Sequence, residues 1–259
     1  MSRREREGHG LSRRKAAKRN TAREAFRFMR SNLIVAVDTL ENPCVIVTSA
    51  NEGEGKTSTC VGIAQSLAAA GNRVVLADFD LRSPDSHRLL GAHNRCGVSD
   101  LLLGTHSLEA CLQDVAFVDS DGERASFEFV AAGPHVASPT ELFASLRAGE
   151  LLGRLADRSD VVLIDAPPVL PVADTLVIGR WVGGALLVVE ASQTTLPAVS
   201  HAREALTRND IAIVGVVLNK FEAKNAAQAY GAGSGALGYG SVGAELPRSP
   251  VDERRRARA

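Results

Sequence analysis

The chain has 259 residues, 45% of them apolar and 23% charged, with 30 basic and 30 acidic side chains. A chain of this length buries roughly 70–75% of its unfolded surface, so a core needs neither a disulfide nor a metal, and its apolar runs are shorter than the ~18 residues of a membrane span. The neutral total conceals segregation: residues 1–30 carry net +8, residues 248–259 net +3 and residues 31–247 net −11.

Residues 1–20 are basic, almost without apolar side chains and without a period, which predicts a disordered arm. No aromatics interleave its charges, which argues against nucleic-acid binding. Contact with an anionic inner membrane surface or an acidic partner fits better, beside the plain reading of a solvating tail. Thr21-Ala22-Arg23-Glu24 has the form of a capping box, and Phe26, Met29, Leu33 and Val37 then line one helical face.

From Pro43 the pattern alternates. Residues 45–48, 74–77, 127–131, 161–164, 185–189 and 211–218 predict strands, most of them continuous apolar runs as expected for strands covered on both faces. Helical stretches are predicted over 57–70, 139–157, 171–181 and 197–208. The alternation predicts an α/β fold with a doubly wound, mostly parallel sheet and helices on both faces. Cys44, Cys60, Cys96 and Cys111 have no CxxC or zinc-ligand spacing, so four reduced thiols are expected, and the six histidines show no ligand spacing either. The expected organisation is a basic arm (1–20), one domain (21–222) and a flexible Gly-rich tail (223–259) that holds Tyr230 and Tyr239, the chain's two tyrosines.

The strand at 45–48 runs into Ala50-Asn51-Glu52-Gly53-Glu54-Gly55-Lys56-Thr57 and then a helix. This is the GxxxxGK[ST] phosphate loop with Ala50 at the first glycine. Its amides can converge on a phosphate, the helix adds its positive end, Lys56 can reach β/γ-oxygens and the Thr57 hydroxyl can ligate Mg²⁺. Two further strand ends deliver carboxylates, Asp78-x-Asp80-x-Arg82 and Asp165-x-Pro167-Pro168. Ligands of open parallel sheets sit at the carboxyl ends of strands, where such groups can hold Mg²⁺ or accept a proton. Taken singly, each carboxylate could equally cap a helix.

With these residues the chain resembles the bacterial tyrosine kinases (BY-kinases) of capsule and exopolysaccharide synthesis. The match rests on the loop, on Asp78-x-Asp80-x-Arg82, on Asp165-x-Pro167 and on Glu24-x2-Arg27-x2-Arg30, and spans about residues 21–220. The resemblance implies a P-loop ATPase fold with ATP and Mg²⁺ as cofactors. It also implies nucleotide contacts from Asn51, Glu52, Gly53, Glu54, Gly55, Lys56, Thr57 and Ser58, and cation ligation by Thr57, Asp78 and Asp165. Phosphoryl transfer would involve Lys56, with Asp78 or Asp80 orienting or deprotonating a tyrosine hydroxyl, and Tyr230 and Tyr239 of a neighbouring subunit would be the acceptors. The Glu24, Arg27 and Arg30 helix would lie at subunit contacts of a ring-shaped homo-oligomer. A separate membrane adaptor of the polysaccharide co-polymerase type would recruit a cytoplasmic kinase to the inner face of the plasma membrane. Two other readings stay open: a positioning or partitioning ATPase, although Asn51 stands where those carry a second lysine, and a non-catalytic nucleotide-binding regulator of polymer export.

Overall fold

The computed structural model describes residues 22–119 and 121–221. The basic arm, Thr21 of the expected capping box and the tail with Tyr230 and Tyr239 lie outside the described residues.

Residues 22–37 form helix α1. Among the described residues seven strands follow: β1 (Cys44–Ser49), β2 (Val74–Asp78), β3 (Leu112–Val118), β4 (Arg124–Val130), β5 (Val161–Asp165), β6 (Gly184–Glu190) and β7 (Ile213–Asn219). Between them lie α2 (Lys56–Ala68), α3 (Ser86–Leu90), α4 (Val98–Leu103), α5 (Leu108–Cys111), α6 (Pro139–Ala144), α7 (Leu146–Ala156), α8 (Asp174–Ile178) and α9 (Leu196–Arg208). The strands make one sheet in the order β3-β4-β2-β5-β1-β6-β7. Every pairing is parallel except β3 with β4.

Successive strand residues serve opposite faces, as the pleat requires. Cys44 and Ile46 of β1 and Val162 and Ile164 of β5 pack with residues from α4 to α9. Val45, Val47, Val161 and Leu163 pack on the other face, with Leu33 and Val37 of α1 and Ile63 and Leu67 of α2. The step from β1 to β2 therefore crosses one face, and those from β4 to β5, β5 to β6 and β6 to β7 cross the other. The winding reverses at β1, which places the crevice of a doubly wound sheet at its carboxyl end.

The doubly wound, mostly parallel expectation holds, with local departures. The pair β3–β4 is an antiparallel hairpin at the sheet edge; only its second strand is anticipated, and in β3 Gln113 and Asp114 limit the continuous apolar run to residues 115–118. The helix expected over 139–157 breaks at Ser145, whose backbone is extended (ψ 151°) and whose hydroxyl donates to the Leu142 carbonyl at 2.6 Å. Over 171–181 the α-helix occupies only Asp174–Ile178, followed by a 3₁₀ turn.

The cysteine expectation is corrected. Cys96 and Cys111 form a disulfide, whereas Cys44 and Cys60 are free and buried. The pair is 15 residues apart in sequence, and the chain through α4 and α5 turns back to bring their Cα atoms within 5.1 Å, inside the span a disulfide can bridge. That proximity comes from packing and leaves no mark on local spacing.

Helix α1 sits against α2. Phe26 covers Gly62, where a Cβ would lie 2.3 Å from the ring, and Arg30 donates to the Ser66 carbonyl at 3.0 Å. Among the described residues, no helix is long and apolar enough to cross a membrane.

Candidate nucleotide and cation site

The loop between β1 and α2 has the conformation a phosphate cradle needs. Gly53 (φ +79°) and Gly55 (φ +91°) adopt left-handed backbone, which side-chain-bearing residues enter at a cost. A Cβ on Gly55 would also lie 2.1 Å from Asn219 Nδ2. Ala50, at the first-glycine position, is wholly buried, so its methyl group belongs to the core.

The side chains within the loop divide into two groups. Glu54 is 4% exposed and turns inward. Its carboxylate accepts from the Ala50 N–H (2.9 Å), Asn51 Nδ2 (3.2 Å) and the Thr194 hydroxyl (2.7 Å). Glu54 therefore braces the loop with its buried side chain, joined by the Asn51 amide, and only the backbone of Glu54 can face a phosphate. The outer carbonyls are held from the end of β7 and the residue after it: Asn219 Nδ2 donates to Glu54 O (2.9 Å) and Lys220 Nζ to Gly53 O (2.8 Å), while Lys220 Nζ also pairs with the Glu190 carboxylate (2.8 Å). Glu52, Gly53, Lys56 and Thr57 line an open cleft with Asp80, Arg82, Ser83 and Asp85 on one side and Pro167, Pro168, Pro171 and Val172 on the other. Ser58 is exposed, and its hydroxyl donates to Gly55 O at 2.9 Å.

The carboxylates arrive from neighbouring strands. Asp78 ends β2 and Asp165 ends β5, and the two are register partners. Asp78 is wholly buried and Asp165 nearly so. Lys56 Nζ pairs with Asp80 Oδ2 at 2.9 Å. Burial alone would push the Lys56 ammonium down, but Asp165, Asp80 and Asp78 together hold it above the ordinary lysine value. Burial, reinforced by the Asp165 charge, pushes Asp78 well above the carboxylate range. Burial raises Asp165 to about 6, against the pull of Lys56, Ser86 and Thr57. Asp165 Oδ1 is buried and has no hydrogen-bond partner among the described residues. An orphaned carboxylate oxygen beside a second buried carboxylate and the Thr57 hydroxyl is an all-oxygen donor set that suits a hard divalent cation such as Mg²⁺.

Supporting contacts fix these strand ends. Thr48 and Thr175 both donate to the Pro167 carbonyl, at 2.8 and 2.6 Å, which anchors the turn after Asp165. Arg82 forks onto fully buried Asp174 (2.6 and 3.0 Å) and reaches Thr140 (3.1 Å).

The expected residues thus separate. Gly53, Gly55, Lys56, Thr57, Asp78, Asp80 and Asp165 gather at one place. Glu24, Arg27 and Arg30 lie on α1 and do not line the cleft; Arg27 Nη1 is 3.4 Å from Glu24 and Nη2 is 3.1 Å from Asp121. Ser86, Asp174, Thr194 and Lys220 have no precedent in the sequence reading.

The chain matches the CobQ/CobB/MinD/ParA nucleotide binding domain over residues 45–251. It is 35% identical over 209 residues to the tyrosine-protein kinase Wzc of Salmonella typhi, covering 80% of this chain but only 28% of that protein. It is 31% identical over 196 residues to the tyrosine-protein kinase YwqD of Bacillus subtilis, covering 76% of this chain and 80% of that one. The kinase domain of the Escherichia coli tyrosine kinase ETK superposes with a TM-score of 0.72 at 31% identity, over 84% of this chain and 80% of that domain.

Proposed function

The chain belongs to the bacterial tyrosine kinases of the CobQ/CobB/MinD/ParA nucleotide-binding family, and from that premise we propose that it is an ATP-dependent tyrosine autokinase serving capsule or exopolysaccharide synthesis. The observation that carries the reading is the convergence of Lys56, Thr57, Asp78, Asp80 and Asp165 beside the phosphate loop. A loop alone would serve any nucleotide-binding protein. A carboxylate already in contact with the loop lysine suits transfer to a hydroxyl.

The chemistry follows from this placement. The loop amides and Lys56 stabilise charge on the transferring phosphoryl group, and positioning does most of the work. Lys56 is tied to Asp80 at 2.9 Å. When phosphate oxygens take over the ammonium, Asp80 is released as an acceptor at the cleft wall. The tyrosine oxygen then bonds to the γ-phosphorus, its proton passes to Asp80, and ADP departs. Thr57, Asp78 and Asp165 would hold Mg²⁺, which when bound neutralises charge between the phosphates.

The acceptors in this reading are Tyr230 and Tyr239 of a neighbouring subunit, presented by the tail from residue 223 onward. Glu24, Arg27 and Arg30 would form the subunit contact of a ring-type homo-oligomer. A membrane adaptor, aided by the basic arm of residues 1–20, would bring the kinase to the inner face of the plasma membrane. The kinase reading is favoured over a partitioning-type ATPase by the named relatives and by Asn51, which bonds to Glu54 where such an ATPase needs a lysine.

Incubation of the purified chain with Mg·ATP, followed by phosphotyrosine detection, tests the reading. Wild type is expected to label, and Lys56→Met and the double Tyr230→Phe/Tyr239→Phe variant are not. Labelling that survives Lys56→Met would refute the mechanism, and ATP hydrolysis without phosphotyrosine would favour the partitioning-type alternative.

A further inference from the structure

Ser86 opens α3 and is wholly buried, eight residues beyond Asp78. Its hydroxyl donates to Asp165 Oδ2 at 2.7 Å, and its N–H donates to Asp78 Oδ2 at 3.3 Å. One residue therefore closes one oxygen on each of two carboxylates that come from different strands. The other Asp78 oxygen accepts from the Asp80 N–H at 3.1 Å. Of the four oxygens, only Asp165 Oδ1 lacks a partner among the described residues.

The physical need for such a clip is plain. Two buried carboxylates side by side repel, and each gains by rotating away from the other or by taking a proton. A donor fixed on a third element removes that freedom. We propose that Ser86 is a positioning residue for the divalent cation: by holding Asp165 Oδ2, it keeps Oδ1 as the free oxygen that the cation takes. The hydroxyl would touch neither nucleotide nor cation and would act through Asp165. Residues of this kind behind metal ligands typically govern affinity by 10–100-fold.

The inference rests on the nucleotide-and-cation reading of the cleft, but not on the identity of the phosphoryl acceptor. Its test uses the full chain with a non-hydrolysable ATP analogue and Mn²⁺ as the probe, with free Mn²⁺ followed by electron paramagnetic resonance. Ser86→Ala is expected to weaken Mn²⁺ binding by roughly 10–100-fold, while analogue binding in EDTA stays at the wild-type level. Ser86→Thr, which restores a hydroxyl, is expected to recover most of the Mn²⁺ affinity. If the alanine variant does not melt cooperatively, Ser86→Cys, which keeps the side chain's shape but replaces the hydroxyl with a weak donor, takes its place. Unchanged Mn²⁺ affinity in the hydroxyl-free variant would overturn the proposal, and so would an equal loss in the threonine variant. Because no phosphotyrosine is read, a chain without kinase activity would sink the proposed function and leave this inference standing.

Discussion

Glu54 provides the sharpest prediction, because its motif position suggests nucleotide contact whereas its geometry makes it the brace of the phosphate loop. Glu54→Ala strands the buried Ala50 N–H and removes acceptors from Asn51 and Thr194. An orphaned buried donor costs about 1–3 kcal/mol, and hydrogen bonds to a charged acceptor are the stronger ones. Allowing for partial rearrangement of the exposed Asn51, the loss comes to about 3 kcal/mol. For a domain of this size that corresponds to a fall in Tm of roughly 6–12 °C. Glu54→Gln keeps the shape and one oxygen. That oxygen can still serve Ala50, while Asn51 and the Thr194 hydroxyl can reorient toward the amide, so its cost is about 1 kcal/mol. Differential scanning calorimetry of the nucleotide-free protein, with fluorescent-nucleotide titration beside it, separates the variants. The expected order in both Tm and affinity is wild type, then Gln, then Ala. An alanine variant that melts with wild type but binds nucleotide weakly would refute the bracing argument and restore direct contact.

Gly55→Ala places a side chain at φ +91°, with its Cβ 2.1 Å from Asn219 Nδ2; strain of about 1–3 kcal/mol plus loss of the Asn219–Glu54 bond should weaken nucleotide binding in the same titration, and unaltered affinity would contradict the loop geometry. Asp165 has a folded-state value near 6 against 3.8 for the free side chain, so its contribution to stability is present below about pH 4 and is lost as pH rises through about 6. In EDTA, the Tm of wild type relative to Asp165→Asn should therefore fall from pH 4 to pH 7, and a flat difference would refute the assignment. Replacing Cys96 and Cys111 together by Ala opens a loop of 15 residues and should cost about 3 kcal/mol; thiol titration of the denatured, unreduced wild type should count only Cys44 and Cys60, and four thiols would exclude the disulfide.

Much of the site was legible because its chemistry is local in sequence. Gly53, Gly55, Lys56 and Thr57 fall within one turn between a strand and a helix, where backbone rules alone dictate a cradle. The runs that deliver Asp78 and Asp165 are apolar without interruption, as strands buried on both faces must be. Ser86 was not legible. A serine eight residues past a strand carries no period and no motif, and it matters only because α3 returns over the ends of β2 and β5. The edge strand β3 escaped for a related reason. Gln113 and Asp114 leave only Val115–Val118 as a continuous apolar run, and its pairing with β4 identifies it.

By itself, the sequence determined the alternating α/β order, the phosphate loop, the carboxylates at two strand ends and the helical face of α1. These are set by residue type over spans of a turn or a strand. The tertiary structure decided that β2 and β5 are neighbours, so that Asp78 and Asp165 become register partners with, among the described residues, a single unpartnered oxygen. It also decided that Glu54 turns inward and that Cys96 meets Cys111. Strand order and the burial of a polar group depend on which distant surfaces pack together, and the direction of a buried carboxylate follows whichever donor that packing leaves unpaired.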